Sequence, residues 1–228
     1  MTLCVVFDFD GVLVDSNAVK RQAYFDIFSS LGPRTVSIVE AVLDGDVDGD
    51  RFQLIRRILV CLREDVAHSS AGTLDSLVTN YAERYNEICE EHAATCPEIR
   101  GASAALARLV VSHPLYVSSA TPEGPLRRIV ERRGWSRFFR DVLGRPRTKA
   151  ENLRLIMERE EVDGGAVVVV GDGRRDLDAA RLVGARFVGI RNKFNDFEPG
   201  ALLLIDDLLG LADLIDSARV PAPLAAGN

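Results

Sequence analysis

The 228-residue sequence has no apolar run that approaches the ~20 residues of a membrane-spanning helix, so no membrane segment is predicted. It also lacks the charged start, separate apolar stretch and small-residue cleavage site of a secretory signal, and a cytoplasmic location is expected. Cysteine is scarce. In a cytoplasmic protein we expect reduced thiols rather than disulfides. The four cysteines are Cys4, Cys61, Cys89 and Cys96.

The sequence has no excess of positive charge. Its formal net charge is -6 and its pI is near 5.2, which argues against a general nucleic-acid binder. Apolar residues make up 47% of the chain, enough to form a substantial core. A chain of this length fits one large domain, or a core with a smaller second domain.

Short apolar runs alternate with helical patterns at the start of the chain and again after residue 100. Strands that alternate with helices imply a parallel sheet with right-handed crossovers. We therefore predict an α/β fold with a Rossmann-like parallel sheet as its core. The predicted strands cover residues 3–7, 115–117, 141–143, 166–170 and 186–190.

The segment 17–98 has helical patterns and no convincing strand, which predicts a helical subdomain inserted after the first strand. The predicted core is then residues 1–16 and 99–219, and the tail 220–228 is expected to be disordered. Thr121 and Pro122 predict a helix start in which the Thr121 hydroxyl is the cap. Residues 207–217 are expected to form the last helix.

Two aspartates, Asp8 and Asp10, follow the first predicted strand and precede Gly11. Ligands of open α/β sheets bind at the carboxyl ends of strands. Two like charges this close repel each other, and a divalent cation is the usual way to offset them. The alternative from these residues alone is an acidic turn without a ligand.

Three further signals occupy equivalent places in the predicted fold. Ser118 to Thr121 follow the strand 115–117, and Lys149 begins a helix that Thr148 opens. Gly171-Asp172-Gly173-Arg174-Arg175-Asp176 follows the strand 166–170. Because the carboxyl ends of parallel strands share one edge of a sheet, we expect these residues to meet there.

The order and content of these four motifs resemble the haloacid dehalogenase superfamily, in particular its phosphoglycolate phosphatase and β-phosphoglucomutase members. The helical insert 17–98 resembles the C1 cap of that family. The resemblance covers most of the chain. Each motif alone is a weak signal, but four in the right order on the right elements are a strong one.

The resemblance implies that Asp8 is a nucleophile that forms an aspartyl-phosphate. It implies that Asp10 is the general acid and base, and that its backbone carbonyl reaches the metal. Asp172 would bind Mg²⁺ directly and Asp176 would help to hold it, so the implied metal residues are Asp8, Asp10, Asp172 and Asp176. Hard oxygen ligands and a phosphoryl substrate favour Mg²⁺ over softer metals.

The resemblance also implies a phosphate-binding set made of the Ser119 hydroxyl, the Ala120 amide and the Lys149 ammonium. Phosphoryl transfer places charge on three equatorial oxygens, which such groups stabilise. Ser118 competes with Ser119 for this role. We favour Ser119 because the run from Ser119 to Pro122 matches the family spacing better.

The predicted function is a Mg²⁺-dependent phosphatase that hydrolyses a small phosphorylated metabolite as a monomer or dimer. Dehalogenating members lack an aspartate at the position of Asp10, so its presence favours phosphate esters. A sugar phosphomutase of the β-phosphoglucomutase type is the alternative. A receiver-like signalling domain is disfavoured, because receivers carry neither the helical insert nor the GDxxxD motif after the lysine.

Overall fold

The chain forms two compact units, which we call unit 1 and unit 2. Unit 1 comprises Met1–Ser16 and Ala93–Asn228, and unit 2 comprises Asn17–His92. The structure, a computed structural model, describes residues 2–45, 51–62, 73–193, 197, 202–217 and 219–223. No helix among these residues is both long enough and apolar enough to cross a bilayer.

Unit 1 contains a six-stranded sheet with the strand order β3-β2-β1-β4-β5-β6, in which every neighbouring pair is parallel. This confirms the predicted α/β fold with a parallel sheet. The strands are β1 (Cys4–Phe7), β2 (Leu115–Pro122), β3 (Asp141–Arg145), β4 (Val167–Gly171), β5 (Arg186–Ile190) and β6 (Leu203–Ile205).

Helices lie between successive strands from β1 to β5 and make up most of the described part of unit 2. Their bounds are α1 (Asn17–Phe28), α2 (Thr35–Leu43), α3 (Arg51–Cys61), α4 (Leu74–Thr95), α5 (Ala102–Leu109), α6 (Glu123–Arg132), α7 (Lys149–Glu160), α8 (Arg174–Val183) and α9 (Leu211–Asp216). The helices α1 to α3 lie in unit 2, and α4 begins there and ends in unit 1.

The sheet is covered on both faces. Side chains alternate along a strand, so Val5 and Phe7 of β1 enter one apolar cluster while Cys4 and Val6 enter another. Every residue of β1 is buried, as expected for a parallel strand with both faces covered. Burial of each such side chain stabilises the fold by about 1.5–3 kcal/mol. The central strands therefore hold the residues that follow them in fixed positions.

Unit 2 has an apolar core of its own, contributed by α1 to α4. Tyr24 packs on Tyr85 with ring centroids 4.5 Å apart, and Phe28 stacks on Tyr81 at 4.6 Å. Ile55 and other buried residues of α3 complete this cluster. The helical pattern that begins at residue 17 thus corresponds, as far as His92, to a separately packed set of helices.

The boundary between the two units differs from the sequence prediction. Residues 93–98 group with unit 1, whereas the prediction placed them in the helical insert. The amide of Asp15 donates to the Pro97 carbonyl at 2.9 Å, and Arg133 Nε donates to the Ala93 carbonyl at 2.8 Å. These long-range contacts tie the end of α4 to the sheet unit, and no local pattern encodes them.

Three further predictions are corrected by the structure. The strand β6 was missed, and the last helix begins at Leu211 rather than at residue 207. A three-residue edge strand carries too little pattern to be recognised. Val220, predicted to open a disordered tail, is buried, and its carbonyl accepts from Arg186 Nη1 at 2.9 Å. The remainder of that predicted tail from residue 224 lies outside the described residues.

Candidate active site

The strand register places Asp8 in the middle of one sheet edge. Phe7 pairs with Val117 of β2 on one side and with Val170 of β4 on the other. The next residue of each strand is therefore at the same level, and the amide of Asp8 donates to the Val170 carbonyl at 2.9 Å. Asp8 consequently lies between Ser118 of β2 and Gly171 of β4, which belong to the second and fourth predicted motifs.

Asp10 lies on a tight turn just beyond β1. Gly11 has a φ of 75°, a left-handed conformation that a side chain disfavours, and its amide donates to the Val14 carbonyl at 2.8 Å. The turn keeps the Asp10 carboxylate near the sheet edge, where Ser16 Oγ donates to its Oδ1 at 2.5 Å. Thr121 Oγ1 donates to its Oδ2 at 3.1 Å.

Lys149 is the first residue of α7, and a capping box fixes that helix start. Thr148 Oγ1 accepts from the Glu151 amide at 3.2 Å, and Glu151 Oε2 accepts from the Thr148 amide at 2.7 Å. Lys149 Nζ then lies 2.8 Å from Asp8 Oδ2 and 2.5 Å from Asp176 Oδ1. The lysine thus connects the first strand with the helix after β4.

Asp172 and Asp176 follow β4, and they form with Asp8 a group whose ligand atoms all lie within 4.8 Å of one another. Gly171 makes this arrangement possible. A Cβ added at residue 171 would lie 2.3 Å from the Asp176 Cβ, a distance that real Cβ atoms do not show. The glycine of the GDxxxD motif therefore leaves the space in which Asp176 approaches the strand.

The electrostatics of this group follow from burial and short distances. Asp8, Asp10, Asp172 and Asp176 are each between 3% and 8% exposed. Burial alone would lower the pKa of Lys149. The negative charges of Asp176 and Asp8 have the opposite, larger effect, so the pKa of Lys149 lies above its ordinary value. Burial raises the pKa of Asp176, and the Asp8 charge adds to this rise against the opposing effect of Lys149.

A divalent cation with hard oxygen ligands fits this arrangement. Three buried carboxylates lie close together here, and two of them, Asp8 and Asp176, pair with the Lys149 ammonium. Carboxylate oxygens are the ligands that Mg²⁺ prefers in proteins. The residues that would hold it are Asp8, Asp172 and Asp176; the Asp10 carboxylate lies outside this group.

The two candidate hydroxyls after β2 lie in different surroundings. Ser118 Oγ accepts from the fully buried Asn152 Nδ2 at 3.2 Å, and Ser118 lines a small cavity with Asp8, Lys149 and Asp176. Ser119 Oγ accepts from the Thr121 amide at 3.1 Å, in a part of β2 whose pairing with β3 is irregular. A strand irregularity re-aims side chains. The preference for Ser119 and Ala120 as phosphate-binding residues stays a prediction.

Sequence reasoning missed three polar contacts at this edge. Asn192 Nδ2 donates to Asp172 Oδ2 at 2.8 Å, and its position soon after β5 was the available signal. The other two are the contacts of Ser16 and Thr121 with Asp10, of which Thr121 was predicted to cap a helix instead. The prediction for Thr121 is wrong, because α6 begins at Glu123 after Pro122, without a side-chain cap, and the Thr121 hydroxyl donates to Asp10 instead.

Comparison with known proteins decides the family. The family model described as haloacid dehalogenase-like hydrolase matches residues 2–184. The chain belongs to the haloacid dehalogenase-like hydrolases. This confirms the resemblance stated from the four motifs, and with it the prediction of a hydrolase.

Relatives of this hydrolase carry a consistent name. It is 27% identical over 206 residues to phosphoglycolate phosphatase of Vibrio parahaemolyticus, and the aligned region covers 86% of each chain. It is 29% identical over 210 residues to phosphoglycolate phosphatase of Neisseria meningitidis, covering 89% of this chain and 85% of that one. The family and these relatives support the predicted enzyme class, a phosphatase.

A solved structure shares the fold of this hydrolase. The putative β-phosphoglucomutase from Thermotoga maritima superposes with a TM-score of 0.73 at 21% identity, covering 95% of this chain and 99% of that one. At this identity the likeness shows the fold alone. It agrees with a parallel-sheet core and a helical insert.

Proposed function

We propose that this protein is a Mg²⁺-dependent phosphatase that cleaves a small phosphorylated metabolite through an aspartyl-phosphate on Asp8. The observation that carries the proposal is the ion-pair geometry of Lys149. Its ammonium contacts both Asp8 and Asp176 at the end of the sheet, next to Asp172. A carboxylate held in this way is available as a nucleophile, and the adjacent positive charge offsets the charge of an incoming phosphate.

The chain's own residues supply each step of such a reaction. Asp8 Oδ1 accepts from the Phe9 amide at 2.7 Å and Oδ2 contacts Lys149, so the carboxylate is fixed before substrate binds. One Asp8 oxygen forms the new bond to phosphorus as the ester P–O bond breaks. Asp10 gives its proton to the leaving oxygen and later takes one from the water that releases phosphate and regenerates Asp8.

Mg²⁺ bound by the carboxylates would neutralise charge on the phosphoryl oxygens. The remaining charge falls to the Lys149 ammonium, the Ser119 hydroxyl and the Ala120 amide. The helical unit Asn17–His92 is the proposed cap domain. A cytoplasmic location and a monomeric or dimeric state remain predictions of the sequence.

The substrate class rests on the curated relatives, which are named phosphoglycolate phosphatase. Phosphoglycolate is therefore the first compound to test, with sugar phosphates and nucleotides beside it. The mutase alternative has only the shared fold of the putative β-phosphoglucomutase in its favour. An isomerisation assay with a sugar phosphate and its bisphosphate separates the mutase from the phosphatase.

The test is phosphate release from this panel in the presence of Mg²⁺. The wild-type protein is expected to release phosphate, a chelator to stop it and added Mg²⁺ to restore it. Asp8→Asn is expected to abolish release while the fold persists. Asp163→Asn, which changes an exposed carboxylate before β4, is the matched control and should retain the wild-type rate. Wild-type turnover by the Asp8 variant would refute the nucleophile, and no release from any compound would refute the phosphatase.

A further inference from the structure

We propose that the hydroxyls of Ser16 and Thr121 form a two-point clamp that holds the Asp10 carboxylate in the orientation needed for proton transfer. This inference rests on the proposed phosphatase function and assigns two positioning residues to it. Ser16 Oγ donates to Asp10 Oδ1 at 2.5 Å, and Thr121 Oγ1 donates to Asp10 Oδ2 at 3.1 Å. Each carboxylate oxygen therefore has its own hydroxyl partner.

The two clamp residues come from separate parts of unit 1. Ser16 is the last residue of the first segment, six positions after Asp10, and Thr121 lies 111 positions away at the end of β2. Ser16 is 1% exposed and Asp10 is 8% exposed. Contacts from two directions leave a carboxylate little rotational freedom about its side-chain bonds, whereas one contact would leave it free to pivot.

The chemistry of the clamp suits a residue that gives and takes a proton. Each carboxylate oxygen has two lone pairs, so an oxygen that accepts from a hydroxyl still has a site for the transferred proton. Both hydroxyls can therefore keep donating to Asp10 through the two halves of the proposed reaction, while the Asp10 proton faces the leaving oxygen or the water. An ammonium in the same place would add a positive charge and favour the charged form more strongly.

The position of Thr121 also explains why its hydroxyl is available. Thr121 lies within β2, and α6 begins two residues later without using this side chain as a cap. The Thr121 amide donates to Ser119 Oγ at 3.1 Å, which fixes the backbone from which the side chain projects. Thr121 lies in the stretch where the pairing of β2 with β3 is irregular, and its hydroxyl reaches Asp10 in the loop after β1.

The experiment compares two kinds of leaving group. An alkyl phosphate needs a proton on its leaving oxygen, whereas p-nitrophenolate leaves without one, so a misplaced general acid harms the first substrate more than the second. The variants are Ser16→Ala, Thr121→Val and the double variant, and the rate constant is kcat/KM, which reports the step that forms the aspartyl-phosphate. The alkyl substrate is the one that the wild type cleaves fastest in the panel above.

We expect the double variant to lose about 10-fold or more in kcat/KM for the alkyl phosphate and less than about 3-fold for p-nitrophenyl phosphate. The conservative double variant Ser16→Thr with Thr121→Ser retains both hydroxyls and should restore the alkyl rate. Ser217→Ala is the control for loss of a hydroxyl, since that side chain donates to the Asp213 and Leu214 carbonyls at the end of α9. Equal losses on both substrates, or no loss, would overturn the inference.

Crystal structures of the wild type and the double variant provide a readout that does not depend on activity. Asp10 is expected in one side-chain rotamer in the wild type and in a different or mixed rotamer in the double variant. If the wild type released no phosphate, the proposed function would fail and this comparison alone would decide the clamp. An unchanged Asp10 in the double variant would then overturn the inference, and a displaced Asp10 would support it.

Discussion

Lys149 is the residue whose removal tests the electrostatic account of the site most directly. In metal-free protein we expect Lys149→Met to destabilise unit 1 by about 3–5 kcal/mol, the usual cost of breaking a buried ion pair from one side. Lys149 Nζ lies 2.8 Å from Asp8 Oδ2 and 2.5 Å from Asp176 Oδ1. The variant removes the positive charge that Asp8 and Asp176 share.

The size of the effect follows from opposing contributions. At an effective dielectric constant of about 20, unit charges at these two distances attract each other by about 6 kcal/mol per pair. Burial of the ammonium costs several kcal/mol, which removes much of this gain. Proton uptake by Asp176, whose pKa is already raised by burial and by Asp8, limits the loss further. The net effect is therefore well below the sum of the two attractions.

The assay is urea unfolding in a chelator at pH 8, followed by the fluorescence of Trp135. This is the single tryptophan of the chain, it is buried in unit 1, and it reports on that unit. The control is Arg100→Met, because Arg100 Nε lies 3.0 Å from Asp207 Oδ2 but the arginine side chain is 75% exposed. Exposed pairs contribute about 0–1 kcal/mol.

A loss below about 1 kcal/mol for Lys149→Met, equal to that of the exposed pair, would refute the reasoning. It would mean that water or proton uptake, rather than the lysine, compensates the negative charge of the carboxylates. Added Mg²⁺ extends the test. Because a cation offsets the same carboxylates, Mg²⁺ should raise the stability of the variant more than that of the wild type.

Two further predictions concern the carboxylates themselves. Because burial raises the pKa of Asp176 to about 7 in the folded state, the metal-free protein should lose stability as pH rises from about 4 to about 7, between the ordinary carboxyl pKa and the raised one. Asp176→Asn should flatten this slope in thermal unfolding, and Mg²⁺ should stabilise the wild type most at pH 8; an unchanged slope in the variant would contradict the assignment. Asn192→Ala frees Asp172 from a 2.8 Å hydrogen bond and should weaken Mg²⁺ binding about 10–100-fold, measured by calorimetry. Equal affinities would show that Asn192 does not orient Asp172.

The sequence was informative where function leaves a local pattern. The apolar run before Asp8 predicted a buried strand, and Thr148 predicted the start of the helix that carries Lys149. Both predictions match the structure, because strand burial and helix capping act over a few residues. The sequence alone therefore places the four motifs at the ends of strands and helices.

Local sequence patterns do not predict contacts between residues that are far apart in the chain. The hydroxyl of Thr121 looked like a helix cap in the sequence but donates to Asp10, 111 positions away, and Asn192 contacts Asp172 from the loop after β5. The return of the chain to unit 1 at Ala93 likewise depends on Arg133, 40 positions later. Such pairs leave no periodicity in either segment.

The sequence by itself determined which chemical groups this protein carries and at which strand or helix ends they lie, because those ends are set by local backbone and burial preferences. The tertiary structure alone decided which of these groups form hydrogen bonds or ion pairs with one another. That division has a physical reason: the strand register brings Asp8, Ser118 and Gly171 to one level, and a register is set by the packing of the whole sheet.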